Sequence, residues 1–194
     1  MVRVIVGAAV AAVVMFIIGF IFFGPLGLSN LASRSLDDVP AATIQQTLAA
    51  NLPASGTYFV PAPESSAQQT VMYGQGPIAT IHYNVGGFAA MDTTMMVVGL
   101  VFNFIVALLI GAALIGIDRR VPDFASRSRV AVIIAVAAAA FTHLGEPIYY
   151  HHDWPHFVYL FVADALMLAA AGIVLAWFLP SHAGAAPADA PTEV

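Results

Sequence analysis

The chain has no cysteine and no lysine; six arginines supply all its basic charge, against eleven acids in 194 residues. Without cysteine there can be no disulfide, thiolate metal site, iron–sulfur cluster, thioether-linked haem or thiol nucleophile. A formal charge of −5 gives a phosphate backbone little to bind, so no nucleic-acid partner is expected. Charged residues make up 9% of the chain and hydrophobic ones 60%, whereas a soluble domain is about a quarter charged and about half apolar. The imbalance points to a membrane protein. Phosphate-cradling glycine loops, nucleophile elbows, HExxH and kinase signatures are also missing, so an enzyme is not expected. There is no internal repeat or midplane helix break of the transporter kind, and no run of charges that would ring a pore.

What the chain does contain is long apolar runs. A spanning helix takes about 20 apolar residues to cross roughly 30 Å of hydrocarbon. Four stretches qualify: Val4 to Phe23, ending at Gly24-Pro25; Thr93 to Ile117, ending at Asp118-Arg119-Arg120; Val130 to Tyr149, after Arg127 and Arg129; and Phe157 to Leu179, stopped by Pro180. The first resembles a signal peptide in having Arg3 before an apolar run, but it is longer than the usual core of about 7–15 residues, so a retained anchor is expected. Arginines mark the loops that stay cytoplasmic. Arg3, Arg119, Arg120, Arg127 and Arg129 fall on one side and Arg34 alone on the other. Both termini are therefore expected in the cytoplasm of a bacterial inner-membrane protein. Tyr149, Tyr150, Trp154 and Tyr159 at one boundary and Trp177 at the other fit interfacial belts.

Between the first two spans lies a segment of mixed composition. Asp37-Asp38 before Val39-Pro40 predicts a capped short helix, and Glu64 to Met72 a second one. The runs Gly56 to Val60 and Ile78 to Tyr83 read as strands. The expectation is an all-α membrane protein of four transmembrane helices, with a small α+β extracytoplasmic insertion between helices 1 and 2. Residues 1–28 form the anchor, 29–90 the insertion, 91–180 a three-helix bundle and 181–194 an Ala/Pro-rich disordered cytoplasmic tail.

The run Leu52, Pro53, Gly56, Tyr58 and Pro61, then Gly76-Pro77 leading into a strand, together with the anchor and three closing helices, resembles a group of uncharacterised bacterial four-helix integral membrane proteins with a small periplasmic insertion. The resemblance covers most of the chain. It implies the fold and carries no assigned activity.

Ionisable groups inside lipid are costly and are weighed individually. His143, Asp164 and Asn103 lie about six, seven and ten residues inside the outer boundary, roughly 9 to 15 Å deep. They form a candidate intramembrane polar cluster, either fixing helix packing or handling a proton. His143, Glu146, His151, His152, His156 and Asp164, with Asp153 among them, are candidate metal ligands concentrated in a 22-residue stretch. Imidazole and carboxylate suit zinc, copper, nickel or iron. The opposing reading is an interfacial belt. Haem is disfavoured because no helix carries a deep histidine pair and His82 and His182 lie outside the spans. Met72, Met91, Met95 and Met96 cluster near the outer mouth, and packing is the simpler account of them. Gly7, Ala11 and Gly19, Gly99 and Gly111, and Ala169 and Gly172 make small-residue rows that let helices approach.

By subtraction, a non-enzymatic accessory or assembly subunit is expected, packed against a larger membrane complex of the respiratory or photosynthetic kind. Lipids and other membrane proteins, or a second copy, are its expected partners, and no cofactor is expected. The alternative is a metal-binding or proton-linked membrane protein using the His/Glu/Asp cluster. An intramembrane enzyme acting on a lipid is disfavoured, since no outward cluster of basic residues would hold the phosphate.

Overall fold

The computed structural model describes residues 2–180; the expected tail lies outside them. The chain is mostly helical, with four helices long and apolar enough to cross a membrane, as in a multi-pass membrane protein. These are α1 (Val2–Phe23), α4 (Thr93–Gly116), α5 (Phe124–His143) continued by the short α6 (Gly145–Tyr150), and α7 (Trp154–Phe178). α2 (Asp38–Asn51), β1 (Gly56–Val60), α3 (Ala67–Gln75) and β2 (Ala79–Tyr83) lie between the first two. By internal packing the chain divides into two compact units, residues 35–92 and the remainder. The stretch 29–34, counted above with the insertion, therefore groups with the spans.

In the spanning unit, burial runs opposite to that of a soluble protein. Its core is small: Ala8, Ala11, Ala107, Ala163 and Ala171 are fully buried, while Phe102, Leu109, Ile133 and Phe141 face outward. When the solvent is itself hydrocarbon, burying leucine gains little, and close backbone approach supplies the dispersion contact instead. The glycines fix which helices meet. A Cβ on Gly172 would lie 2.5 Å from that of Ala131, one on Gly7 2.9 Å from that of Phe178, and one on Gly111 2.9 Å from a Val4 methyl. Gly19 faces Met167, and Ala11 is wholly buried. Gly99 has nothing within 4 Å, so this member of the expected packing set leaves its space open. Ala169 is half-buried. α7 is the hub, packing on α5, α1 and α4, while α4 scarcely meets α5.

The helix ends follow local chemistry. Asp123 caps α5, its carboxylate accepting from the Ser126 amide at 2.9 Å and the Ser126 hydroxyl at 2.6 Å, which starts this helix six residues before the expected Val130. Pro147 lacks the N–H that would return to the His143 carbonyl, and the helix breaks there into α5 and α6. Asp153 caps α7 with Pro155 in its first turn, so that helix opens at Trp154 rather than Phe157.

The insertion is held differently. β1 and β2 pair antiparallel, Tyr58 opposite Ile81. Hydrogen bonds brace this hairpin: Thr57 to His82 at 3.1 Å, the Tyr58 hydroxyl to the Ala54 carbonyl at 2.8 Å, and the Val85 amide to Ser55 Oγ at 3.1 Å. α3 starts at its Ser66 cap, later than Glu64, and Gln69 Oε1 accepts from the Ala62 amide. In residues 35–92, Pro61 is the one buried residue among those described.

Candidate functional site

Two ends of the spanning unit carry its chemistry. At one, α5 ends and α7 begins, and the histidines collect. At the other, α5 begins and α7 ends, and the arginines collect.

At the histidine end, the α5/α6 break leaves His143 facing α7. Its Nε2 is 2.6 Å from Asp164 Oδ2, and the two side chains are 14% and 40% exposed. This is a close polar contact between the two most tightly packed helices. One turn on, His152 Nδ1 lies 3.1 Å from Glu146 Oε2. The His152 ring stacks between Tyr150 and Phe157, at centroid distances of 5.7 and 5.4 Å. It reaches that position because His151 adopts φ 57°, the left-handed conformation that closes a helix. The Tyr159 hydroxyl donates to the Phe22 carbonyl at 2.5 Å and its ring packs on Phe22 and Phe23, tying α7 to the end of α1.

The expected polar cluster is thus resolved into parts. His143 and Asp164 are bonded, whereas Asn103 is buried on α4, and no hydrogen bond joins it to either. The reason is packing: α4 lies against α1 and α7, away from α5. The candidate metal ligands likewise form two separate pairs, His143 with Asp164 and His152 with Glu146. Exposed His151 and half-buried His156 join neither. Among the described residues, no three His, Asp or Glu side chains come together as a metal would require. An imidazole–carboxylate pair can hold a proton, but between His143 and the first turn of α5, and beyond Asp164 on α7, the buried seam is alanine, glycine and leucine.

At the arginine end the sequence reading missed a buried charge. Arg127 is 1% exposed; its Nε donates to the Val121 carbonyl at 2.9 Å and Nη1 to the Pro180 carbonyl at 2.8 Å, while Nη2 has no partner among the described residues. The two acceptors lie in the segments that follow α4 and α7, so this guanidinium ties the α4–α5 connection to the residues just after α7. The signal was present: Arg127, Ala131, Ala135, Ala139 and His143 are spaced by four, and the first four are the buried face of α5. Extending the alanine row one step each way reaches both polar side chains, Arg127 and His143. Outside the spans, Asp123 has its carboxyl held below the ordinary value of 3.8 by the Ser126 hydroxyl and amide.

Comparison with protein-family models, curated proteins and solved structures finds no match to this chain.

Proposed function

We propose that the chain is a non-enzymatic accessory or assembly subunit of a bacterial inner-membrane complex, and that a partner protein covers its insertion. The observation that carries this reading is the state of residues 35–92: one buried residue, Pro61, against exposed Val39, Ile44, Phe59, Val71, Val85 and Phe88. A two-stranded hairpin with two short helices has no core with which to offset its conformational entropy. Apolar side chains held out in this way are the composition of a surface that is covered in use. The open space at Gly99 adds a second contact, inside the membrane. Arginine bias supports a cytoplasmic placement of both termini and a periplasmic insertion.

A second reading, a proton-linked protein, is favoured by the 2.6 Å bond between His143 and Asp164. The apolar α5–α7 seam beyond that pair favours a structural lock, because a proton accepted there finds no onward group along the seam.

Gentle-detergent purification, with native mass spectrometry and metal analysis on the same peak, tests the proposal. It expects a stoichiometric complex in which the insertion resists protease, with no stoichiometric metal. A monomer or homo-oligomer carrying about one metal ion per chain overturns it and moves the function to the His/Glu/Asp residues.

A further inference from the structure

At the histidine end, the short 3₁₀ turn after α1 (Leu28–Leu31) and the start of α7 enclose a cleft of about 670 Å³ lined by Asn30, Leu31, Ser33, Arg34, Asp153 and Pro155. That volume is within the range of about 300–1,000 Å³ typical of small-molecule sites. We propose that this cleft binds the zwitterionic phosphoethanolamine headgroup of a membrane lipid. The inference does not depend on the accessory reading.

Location is the first argument. The cleft begins just past the apolar run of α1, which ends at Phe23, and reaches the first turn of α7 at Trp154. It therefore sits at the membrane boundary, where headgroups reside, whichever way the protein is oriented. Half-exposed Trp154 and exposed Tyr149 are the amphipathic side chains of that boundary.

Charge is the second. Arg34 is the single arginine of this end. No ion pair joins it to Asp153 or to any other carboxylate among the described residues. A guanidinium binds a phosphodiester through parallel N–H donors, and Asn30 also lines the cleft. Asp153 uses Oδ2 to cap α7 at the His156 amide, 3.3 Å away, and its carboxylate still has lone pairs for a second donor. A primary ammonium has three N–H donors to offer it. Choline has none and is recognised by aromatic cages instead. An anionic headgroup would meet Arg34 but be opposed by Asp153. One cation and one anion in the same cleft select a zwitterion, so no cluster of basic residues is needed.

The test is lipid retention by the purified full chain, measured by native mass spectrometry against equimolar phosphatidylethanolamine, phosphatidylcholine and phosphatidylglycerol. The ethanolamine lipid should be retained about tenfold over the other two, the worth of one charge-assisted hydrogen bond. Arg34→Gln should abolish retention, and Arg34→Lys should restore part of it. Asp153→Asn keeps a competent helix cap and should erase the preference between ethanolamine and glycerol headgroups while leaving retention itself. Equal retention of all three lipids by the unaltered chain overturns the proposal, as does an ethanolamine preference that survives both Arg34→Gln and Asp153→Asn. Preferential retention of the glycerol lipid overturns it in favour of an anionic-lipid site. Full displacement by soluble glycerophosphoethanolamine at lipid-equivalent concentration assigns the cleft to a free metabolite and overturns the lipid assignment.

Discussion

The spanning unit and the insertion achieve order by opposite means. In the former, alanine and glycine bring helix backbones together until Gly172 and Ala131 nearly touch, and the large apolar side chains are left to the lipid. In the latter, polar bonds hold a hairpin and two helices in place; Leu48, Tyr58, Ile78 and Ile81 are half-buried, while Val39, Ile44, Phe59, Val71, Val85 and Phe88 stay out. Exposed hydrogen bonds of this kind contribute about 1 kcal/mol each or less, because water competes for both partners. Outward leucines on a membrane helix have found their solvent; outward valines and phenylalanines on residues 35–92 have not. The first unit's exposed face suits hydrocarbon; the second's suits the partner protein proposed above as its cover.

The comparison breaks most sharply on separation. Residues 35–92 expressed alone should show no cooperative thermal transition by circular dichroism, while a chain with that segment replaced by a short flexible linker should still insert and melt cooperatively in detergent. A cooperative melt of the isolated insertion would remove the contrast. Next in size, Arg127→Leu strips two carbonyls of a charged donor and should cost the spanning unit about 3 kcal/mol in a detergent unfolding titration, leaving protease cleavage within residues 35–92 unchanged.

Gly172→Leu should cost about 2 kcal/mol through overpacking against Ala131, whereas Gly99→Leu, with open space around it, should leave the monomer's melting temperature alone and weaken only the purified complex. Smaller again, a double-mutant cycle on His143→Ala and Asp164→Ala should return a coupling of about 1 kcal/mol, which a proton-linked activity would exceed in its functional readout.

Smallest is the response to acid. The carboxyl of Asp123 is depressed on folding, so its contribution is present above the ordinary value of 3.8 and is lost as pH falls through the lowered one. Asp123→Asn should flatten that acid-side loss in melting temperature while matching the parent chain at low pH.

Much of this was legible in the residues. Apolar runs located four spans, and the turn-bounded runs of β-branched and aromatic residues located both strands, β1 from Gly56 to Val60 as expected. What escaped was rotation about the helix axes and the reach of caps. The Asp123–Ser126 box carries α5 past Arg127 and Arg129, residues that read as loop. Because one chain does not fix which face of a helix its neighbours cover, Arg127 looked like a solvated flanking charge and Asn103 like a partner of His143. The four-residue alanine row of α5, read together with the charged residue at each of its ends, would have corrected the first. The second depends on α4 turning toward α1, which only packing decides.

The Arg127 contact also has a consequence in time. Its two acceptors lie on opposite sides of it in the chain, Val121 six residues before and Pro180 fifty-three after. During synthesis the guanidinium meets its first acceptor almost at once and must wait for the whole of α7 before the second exists. A ribosome stalled before residue 180 therefore leaves this arginine with only the first of its two acceptors, and completion of the last span supplies the second.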